Sequence, residues 1–205
     1  LNHKLYAARA YCRANRLNQI VIGSPSSAKP ARLGIVTCGK SYLDVRQALD
    51  DLGIDDALAA EIGIRLYKVG MVWPLEAEGV RHFAEGLEEI LVVEEKRQLI
   101  EYQLKEELYN WREDVRPRVI GKFDEKGEWA QPHGEWLLPA NNELSPAQIA
   151  RVIAGRAVGL ALGGGVFMNV KATMLVGEEP EIEDLFVFPS CGDESNAVGA
   201  AYLGY

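Results

Sequence analysis

The feature that most constrains the fold is a regular alternation of strand-like and helix-like segments between residues 31 and 122. Short apolar runs such as RLGIVTCG and EILVVEE alternate with amphipathic stretches of about ten to fifteen residues. The run in EILVVEE is continuously apolar, which is typical of a strand that is buried on both faces. This alternation predicts βαβ units, and therefore an α/β fold with a small, mostly parallel sheet flanked by helices.

Individual residues predict where several helices begin and end. Ser41 is the expected N-cap of the helix SYLDVRQALDDLG, and Gly53 is its expected terminator. Ser145 is the expected cap of a later helix, SPAQIARVIAG. The long helix KRQLIEYQLKEELYNW places Glu101 four residues before Lys105, the spacing that favours an ion pair.

Composition excludes several classes of function. The chain of 205 residues has a formal charge of −8, which argues against a nucleic-acid groove because phosphate binding needs clustered Lys and Arg. There is no apolar run of membrane-spanning length and no signal peptide, so we expect no membrane partner. Cys12, Cys38 and Cys191 form no CxxC pair, which favours a reduced, cytoplasmic protein. The sequence starts without Met and ends within an apparent helix, so we expect a piece of a longer protein.

The first candidate site is the glycine run in LGGGVFMNVK. Gly163, Gly164 and Gly165 lie between a strand-like and a helix-like segment, where free backbone N–H groups can bind a phosphate. The run matches neither the Walker A motif nor the dinucleotide fingerprint, since Met168 stands where a third glycine is needed. Spacing alone slightly favours an ordinary turn. Residues 157–205 contain seven acids and one base, so an anion bound there would depend on backbone N–H groups.

The second candidate site is the segment FPSCGDESNAVGAA. Asp193 follows a glycine at a strand-to-helix turn, and Ser195 and Asn196 open the next helix. A carboxylate at this position can hold a metal ion or a ribose hydroxyl. It can equally cap the helix, and caps are the more common case.

Residues 1–156 offer no defensible catalytic set. Glu94 and Glu95 end a buried strand and either serve a site at the sheet edge or are simply two solvated acids. The stretch 37–41, TCGKS, either binds an anion or combines a helix cap with a packing cysteine. The three histidines have no partners at the spacing of a metal site or a triad: His3, His82 and His133. On physical grounds this part of the chain is a non-catalytic module.

Three stretches of this module resemble indolepyruvate ferredoxin oxidoreductases of the 2-oxoacid:ferredoxin oxidoreductase superfamily. They are RLGIVTCGKSYLDVRQALDDLGI, IRLYKVGMVWPLEAEGV and EEILVVEEKRQLIEYQLKEELYNW, within a resemblance that covers about residues 1–155. It implies that residues 1–30 end a pyrimidine-binding-type domain and its linker, and that 31–156 form a transketolase C-terminal-like domain. That family uses thiamine diphosphate and iron–sulfur clusters, but its diphosphate-binding motif and cluster cysteines are absent here. The resemblance therefore implies no catalytic residue in this chain.

The end of the chain resembles a different family. The stretches ALGGGVFMNVKATMLVG and DLFVFPSCGDESNAVGAAYLGY are similar to the C-terminal part of nodulation-protein-type carbamoyltransferases, over about residues 158–205. This implies a partial actin-like-ATPase-type α/β segment over 157–205. ATP phosphates would lie on Gly163, Gly164, Gly165 and Asn169, with Ser195 and Asn196 nearby, and a divalent metal on Asp193. The histidines that complete the family's metal site are absent.

The resemblances support three hypotheses about function. The first is a fragment of an indolepyruvate oxidoreductase that contributes structure and subunit contacts, with other domains or subunits and, through the parent enzyme, ferredoxin as partners. The second is a remnant of an ATP- and metal-dependent carbamoyltransferase. The third is a ligand-free interaction module that self-associates through the helix at 97–111. Because the two families meet near residue 156 with almost no linker, we also expect the chain to be a chimera or an unusual fusion.

Overall fold

The computed structural model describes residues 2–24, 31–124 and 136–156, together with the backbone at 161–162 and 186–187. Residues 1–149 form one compact unit and residues 150–205 a second. In the described residues the helices are α1 (Asn2–Ala14), α2 (Gly39–Asp51), α3 (Asp56–Glu61), α4 (Ala77–Ala84), α5 (Leu99–Leu108) and α6 (Pro146–Arg156). The strands are β1 (Gln19–Ile22), β2 (Leu33–Cys38), β3 (Ile64–Val69), β4 (Glu89–Val93), β5 (Arg118–Ile120), β6 (Ala161–Leu162) and β7 (Phe186–Val187).

The main sheet has five strands in the order β1-β3-β2-β4-β5. Strands β3, β2, β4 and β5 run parallel, and β1 pairs antiparallel with β3 at one edge. The predicted α/β fold with a mostly parallel sheet is confirmed. The domain boundary at residue 31 stays a prediction, but β1, which lies before it in the chain, already belongs to this sheet.

A continuous apolar core lies between one face of the sheet and helices α4 and α5. Val36, Tyr67 and Val92 on the sheet pack with Phe83 of α4 and Leu104 of α5, all of them buried. Helix α4 comes unusually close to β2 because position 34 is a glycine. A Cβ at Gly34 would lie 2.5 Å from Leu87 Cδ1 and 2.8 Å from Phe83 Cζ. The opposite face is covered by α2, which contacts β2 and β4, and α3, which contacts β3.

The helix boundaries agree with the sequence prediction in part. Gly53 adopts a positive φ of 71° just after α2, and Gln148 N–H donates to the Ser145 hydroxyl at 3.3 Å, so the predicted terminator and cap are confirmed. The predicted cap at Ser41 is wrong. Gly39 leaves β2 with a φ of 53°, which glycine adopts readily, so the helix begins before Ser41, which is buried in its first turn.

After α6, the C-terminal unit is described at two short strands. β6 and β7 pair in parallel, with Ala161 opposite Phe186 and Leu162 opposite Val187. The actin-like architecture expected for residues 157–205 otherwise lies outside the described residues and stays a prediction. In the described part of the chain, no helix is long and apolar enough to cross a membrane.

Candidate functional site

The best-placed depression on the main sheet is at the carboxyl ends of β2 and β4. From β2 the chain crosses to β3 on one side, whereas β4 lies on the other side, so the connections diverge between these two strands. In open parallel sheets such a point is where ligands usually bind. A cleft of about 710 Å³ lies here, lined by Lys40, Glu95, Lys96, Ala140, Asn141, Asn142 and Glu143.

The charge of Lys40 in this cleft is balanced by acids of the same chain. Its Nζ lies 2.8 Å from Asp44 Oδ2, 3.0 Å from Glu143 Oε1 and 3.9 Å from Glu95 Oε1. It also donates to the backbone oxygen of Leu144 at 3.3 Å. Hydrogen bonds to Asp44 and Glu143 raise the pKa of Lys40 to about 12. Lys40 is therefore a charged residue that ties the cleft wall to α2, and it is unsuited to act as a base.

Glu94, directly after β4, is a buried cap of helix α5. Its carboxylate accepts the N–H groups of Leu99 at 3.0 Å, Ile100 at 2.9 Å and Glu101 at 3.0 Å. Burial raises the pKa of Glu94, and the three N–H donors act in the opposite direction. Because Glu94 is only 4% exposed, the interpretation of residues 94–95 as two solvated acids is wrong for Glu94. Glu95 is half-buried beside the cleft.

Glu101 and Lys122 form a second set of buried charged residues. Glu101 accepts from Lys105 Nζ at 2.6 Å, which confirms the predicted pair, and from the backbone N–H of Lys122 at 3.1 Å. Lys122 Nζ donates to the backbone oxygens of Glu94 and, at 3.3 Å, of Pro139. Burial lowers the pKa of Lys122. Its ammonium group therefore joins the end of β4 to the segment that continues into the cleft wall.

The described cysteines and histidines form no reactive set. Burial raises the pKa of Cys38, assisted by the charge of Glu94, and burial likewise raises the pKa of Cys12, assisted by Glu76. Both thiols therefore stay protonated and are poor nucleophiles. His82 is exposed and lies 3.2 Å from Glu85. Within the described residues, no three His, Cys, Asp or Glu side chains are grouped so as to hold a metal ion.

A smaller cleft, of about 350 Å³, lies between α1, β3 and α4 and was not expected from the sequence. Glu76 lies at its centre and accepts from Arg13 Nη2 at 2.8 Å and from the N–H groups of Glu78 at 3.1 Å and Gly79 at 2.7 Å. Burial raises the pKa of the Tyr67 hydroxyl, which lines this cleft. Little in the sequence indicates the role of Glu76 at the start of α4, because Glu is an uncommon N-cap residue.

The contacts of Glu76 imply an acid-sensitive stability. Burial alone would raise its pKa, but hydrogen bonds from Gly79, Arg13 and Glu78 outweigh burial and lower it. A lowered pKa contributes stability above the unfolded value, and that stability is lost as pH falls through the folded value. We expect the free energy of unfolding to fall more steeply below about pH 4.5 in the wild type than in Glu76→Gln. Urea denaturation between pH 3 and pH 7 measures this, and equal slopes would contradict it.

The predicted nucleotide and metal residues all lie outside the described residues. They are Gly163, Gly164, Gly165, Asn169, Asp193, Ser195 and Asn196, and the structure does not test them. The other predicted candidates, at 37–41 and 94–95, do come together at the carboxyl edge of the sheet. Lys40 and Glu95 both line the large cleft there, while Glu94 is used to cap α5.

Comparison with known proteins identifies the family. Residues 18–184 match the sequence model of the indolepyruvate ferredoxin oxidoreductase middle domain. The chain belongs to this family. The middle-domain match runs through the predicted junction at residues 156–157, so it includes part of the segment assigned by resemblance to a carbamoyltransferase.

Curated relatives of this middle domain are much longer proteins. The chain is similar to the indolepyruvate oxidoreductase subunit IorA of Pyrococcus abyssi, with 30% identity over 124 residues. The subunit IorA of Pyrococcus horikoshii is 36% identical over 124 residues. Each alignment covers 60% of this chain and 16% of the relative, so the chain spans about a sixth of those proteins.

Two solved structures are similar to this chain at lower sequence identity. A 2-oxoglutarate:ferredoxin oxidoreductase from Magnetococcus marinus, with 2-oxoglutarate, coenzyme A and succinyl-CoA bound, gives a TM-score of 0.40 at 17% identity. That match covers 74% of this chain and 23% of the other. A split-gene transketolase gives a TM-score of 0.42 at 14% identity, covering 66% and 39%.

Proposed function

We propose that this chain is a structural domain of a thiamine-diphosphate-dependent indolepyruvate:ferredoxin oxidoreductase, and that it lies outside the active centre. The parent enzyme would oxidatively decarboxylate an arylpyruvate and pass the electrons to ferredoxin. This chain would supply architecture and contacts to other domains or subunits. The observation that carries the proposal is the middle-domain match over residues 18–184, combined with a sheet edge at which Lys40 is paired with Asp44 and Glu94 caps helix α5.

The described residues do not fit the cofactors of such an enzyme. Iron–sulfur clusters need several cysteine thiolates, whereas Cys12 and Cys38 are protonated and no metal-ligand group is present in the described part. A diphosphate needs uncompensated positive charge or free N–H groups, whereas Lys40 is surrounded by Asp44, Glu95 and Glu143. The proposal therefore assigns both cofactors to other parts of the parent enzyme.

Activity of the full-length parent enzyme tests the proposal. We expect indolepyruvate-dependent reduction of methyl viologen that requires added thiamine diphosphate. Lys40→Ala and Glu95→Gln should leave kcat/KM within about twofold of the wild type, because neither side chain would touch substrate or cofactor. A loss of about a hundredfold in either variant, with unchanged melting temperature, would contradict a structural role. Absence of any arylpyruvate oxidation would contradict the assignment of the parent enzyme.

The nucleotide site expected at the end of the chain stays a separate proposal. If Gly163–Gly165 and Asp193 bind ATP and a divalent metal, millimolar MgATP should raise the melting temperature, because a ligand that binds only the folded state stabilises it. Asp193→Ala should abolish that rise, and Glu183→Ala, in the same acidic segment, should retain it. Differential scanning fluorimetry measures both. An unchanged melting temperature of the wild type at millimolar MgATP would exclude the site.

A further inference from the structure

The outward face of α5 consists mostly of large apolar side chains. Leu99 is 47% exposed, Tyr102 is 48% exposed, and Tyr109, directly after the helix, is 73% exposed. Together with the exposed Glu106 they repeat at intervals of three and four residues, so these four side chains form one stripe, the α5 stripe. The other apolar residues of the helix are buried in the core: Ile100, Leu104 and Leu108. Self-association through this helix therefore has to use the α5 stripe.

Trp73 enlarges the apolar part of this surface. Gln103 of α5 donates through Nε2 to the Val72 oxygen at 2.9 Å and accepts from the Leu75 N–H at 2.8 Å. These two bonds hold the intervening segment against α5, and Trp73 within it is 56% exposed. An aromatic side chain buries about 150–250 Å² when it is fully enclosed. Three rings that are about half exposed or more therefore offer roughly a few hundred Å², the size of apolar patches that mark interaction sites.

Unpaired charges of opposite sign lie near the two ends of the α5 stripe. Lys96 and Arg97 precede the helix, Glu106 lies in its last turn, and Glu113 follows it. All four side chains are exposed, and none of them forms an ion pair with another residue in the described part of the chain. Nearby charges are instead paired locally: Lys105 with Glu101, and Arg112 with Asp114. The stripe is thus basic at one end and acidic at the other.

We infer that the α5 stripe binds the same stripe of a second copy of this chain, with the two helices antiparallel about a two-fold axis. In that orientation the basic end of each copy meets the acidic end of the other, whereas a parallel pairing would bring like charges together. A two-fold interface uses the same patch on both partners, so it requires a patch that is complementary to itself in the reversed direction. Tyr102, Tyr109 and Trp73 supply the apolar area that the contact buries. The inference does not depend on the proposed function, because it uses only the surface of this chain.

Sedimentation velocity of the full chain of 205 residues tests the interface. An apolar patch of this size supports a weak, reversible dimer, so we expect a monomer–dimer equilibrium with a Kd of about 10–100 μM. The Kd should rise about threefold to tenfold between about 50 and 500 mM NaCl, because salt screens the charges at the two ends. A chain that stays monomeric up to about 1 mM, or that associates more tightly as salt rises, would overturn the inference.

Charge reversal at either end tests the antiparallel pairing. The acidic-end variant carries Glu106→Lys and Glu113→Lys, and the basic-end variant carries Lys96→Glu and Arg97→Glu. Each variant alone should associate about tenfold more weakly than the wild type, since like charges then meet across the axis. An equimolar mixture of the two variants should recover association, because opposite charges again face each other.

Leu43→Lys is the matched surface control, since Leu43 is 65% exposed on α2 at the other face of the sheet, and it should leave the Kd unchanged. Circular dichroism checks that every variant is folded. Variants that dimerise as well as the wild type, or a mixture of folded variants that stays monomeric, would contradict the inferred interface. The salt dependence uses the wild type alone, so it decides the question even where a variant fails to fold.

Discussion

Gly121→Ala should lower the free energy of unfolding by about 3 kcal/mol, because the added methyl group has no space. Its Cβ would lie 2.2 Å from Glu101 Oε2, 2.8 Å from Glu101 Cδ and 3.1 Å from the backbone oxygen of Val92. The Glu101 carboxylate cannot move aside freely, since it is buried and accepts from Lys105 and from the Lys122 N–H. Relief of the clash would therefore break at least one buried hydrogen bond.

Chemical denaturation compares this variant with a matched control. Gly155→Ala lies in helix α6, where a Cβ meets nothing within 4 Å, and it should stabilise the helix by about 0.5–1 kcal/mol. The two substitutions are chemically identical and should have opposite signs. A Gly121→Ala variant as stable as the wild type would show that the Glu101 carboxylate moves aside at no cost. That result would contradict the close packing of Glu101 against Gly121.

Glu94→Ala should be the most damaging single substitution at the carboxyl ends of the sheet strands. It should lower the free energy of unfolding by about 3–5 kcal/mol. The change removes the acceptor of three N–H groups in the first turn of α5, two of which are in fully buried hydrogen bonds. Removing the carboxylate also removes the negative charge at the positive end of the helix dipole and leaves the buried Lys122 ammonium with less compensation.

The neighbouring acid provides the control for Glu94. Glu95→Ala removes a half-buried carboxylate that accepts from Leu144 N–H at 3.3 Å and lies 3.9 Å from Lys40. The free energy of unfolding should therefore fall by less than about 1 kcal/mol. Guanidinium denaturation followed by circular dichroism measures both variants. Equal losses at positions 94 and 95 would mean that the helix N–H groups are satisfied by water after the substitution, contrary to their burial.

Much of the fold could be predicted from local pattern. The continuous apolar run of β4 predicted a strand buried on both faces, and all five of its residues are buried. Gly53 and Ser145 predicted helix ends because their preferences depend on the adjacent backbone alone. The predicted N-cap at Ser41 was wrong because the helix already begins at Gly39. The positive φ of Gly39 depends on how β2 meets α2, which local sequence does not indicate.

The candidate site was less predictable, because its contacts join residues far apart in the chain. Glu94 is followed by Glu95, Lys96 and Arg97, a sequence typical of a solvated loop, and only the return of α5 buries it. Lys122 and Glu76 are likewise charged residues whose partners, Pro139 and Arg13, are distant in sequence. No periodicity distinguishes such residues from surface charges.

The strand order also determines when the main sheet can begin to form during synthesis. β1 and β2 come first from the ribosome, yet they are not neighbours, because β3 lies between them. Each of the strand pairs in this sheet includes β3 or a strand made after it. Nascent chains that end before Val69 therefore contain two apolar strands with no native partner. Completion of β3 supplies a partner to both at once, so the emergence of this residue from the ribosome marks the point at which the sheet can nucleate.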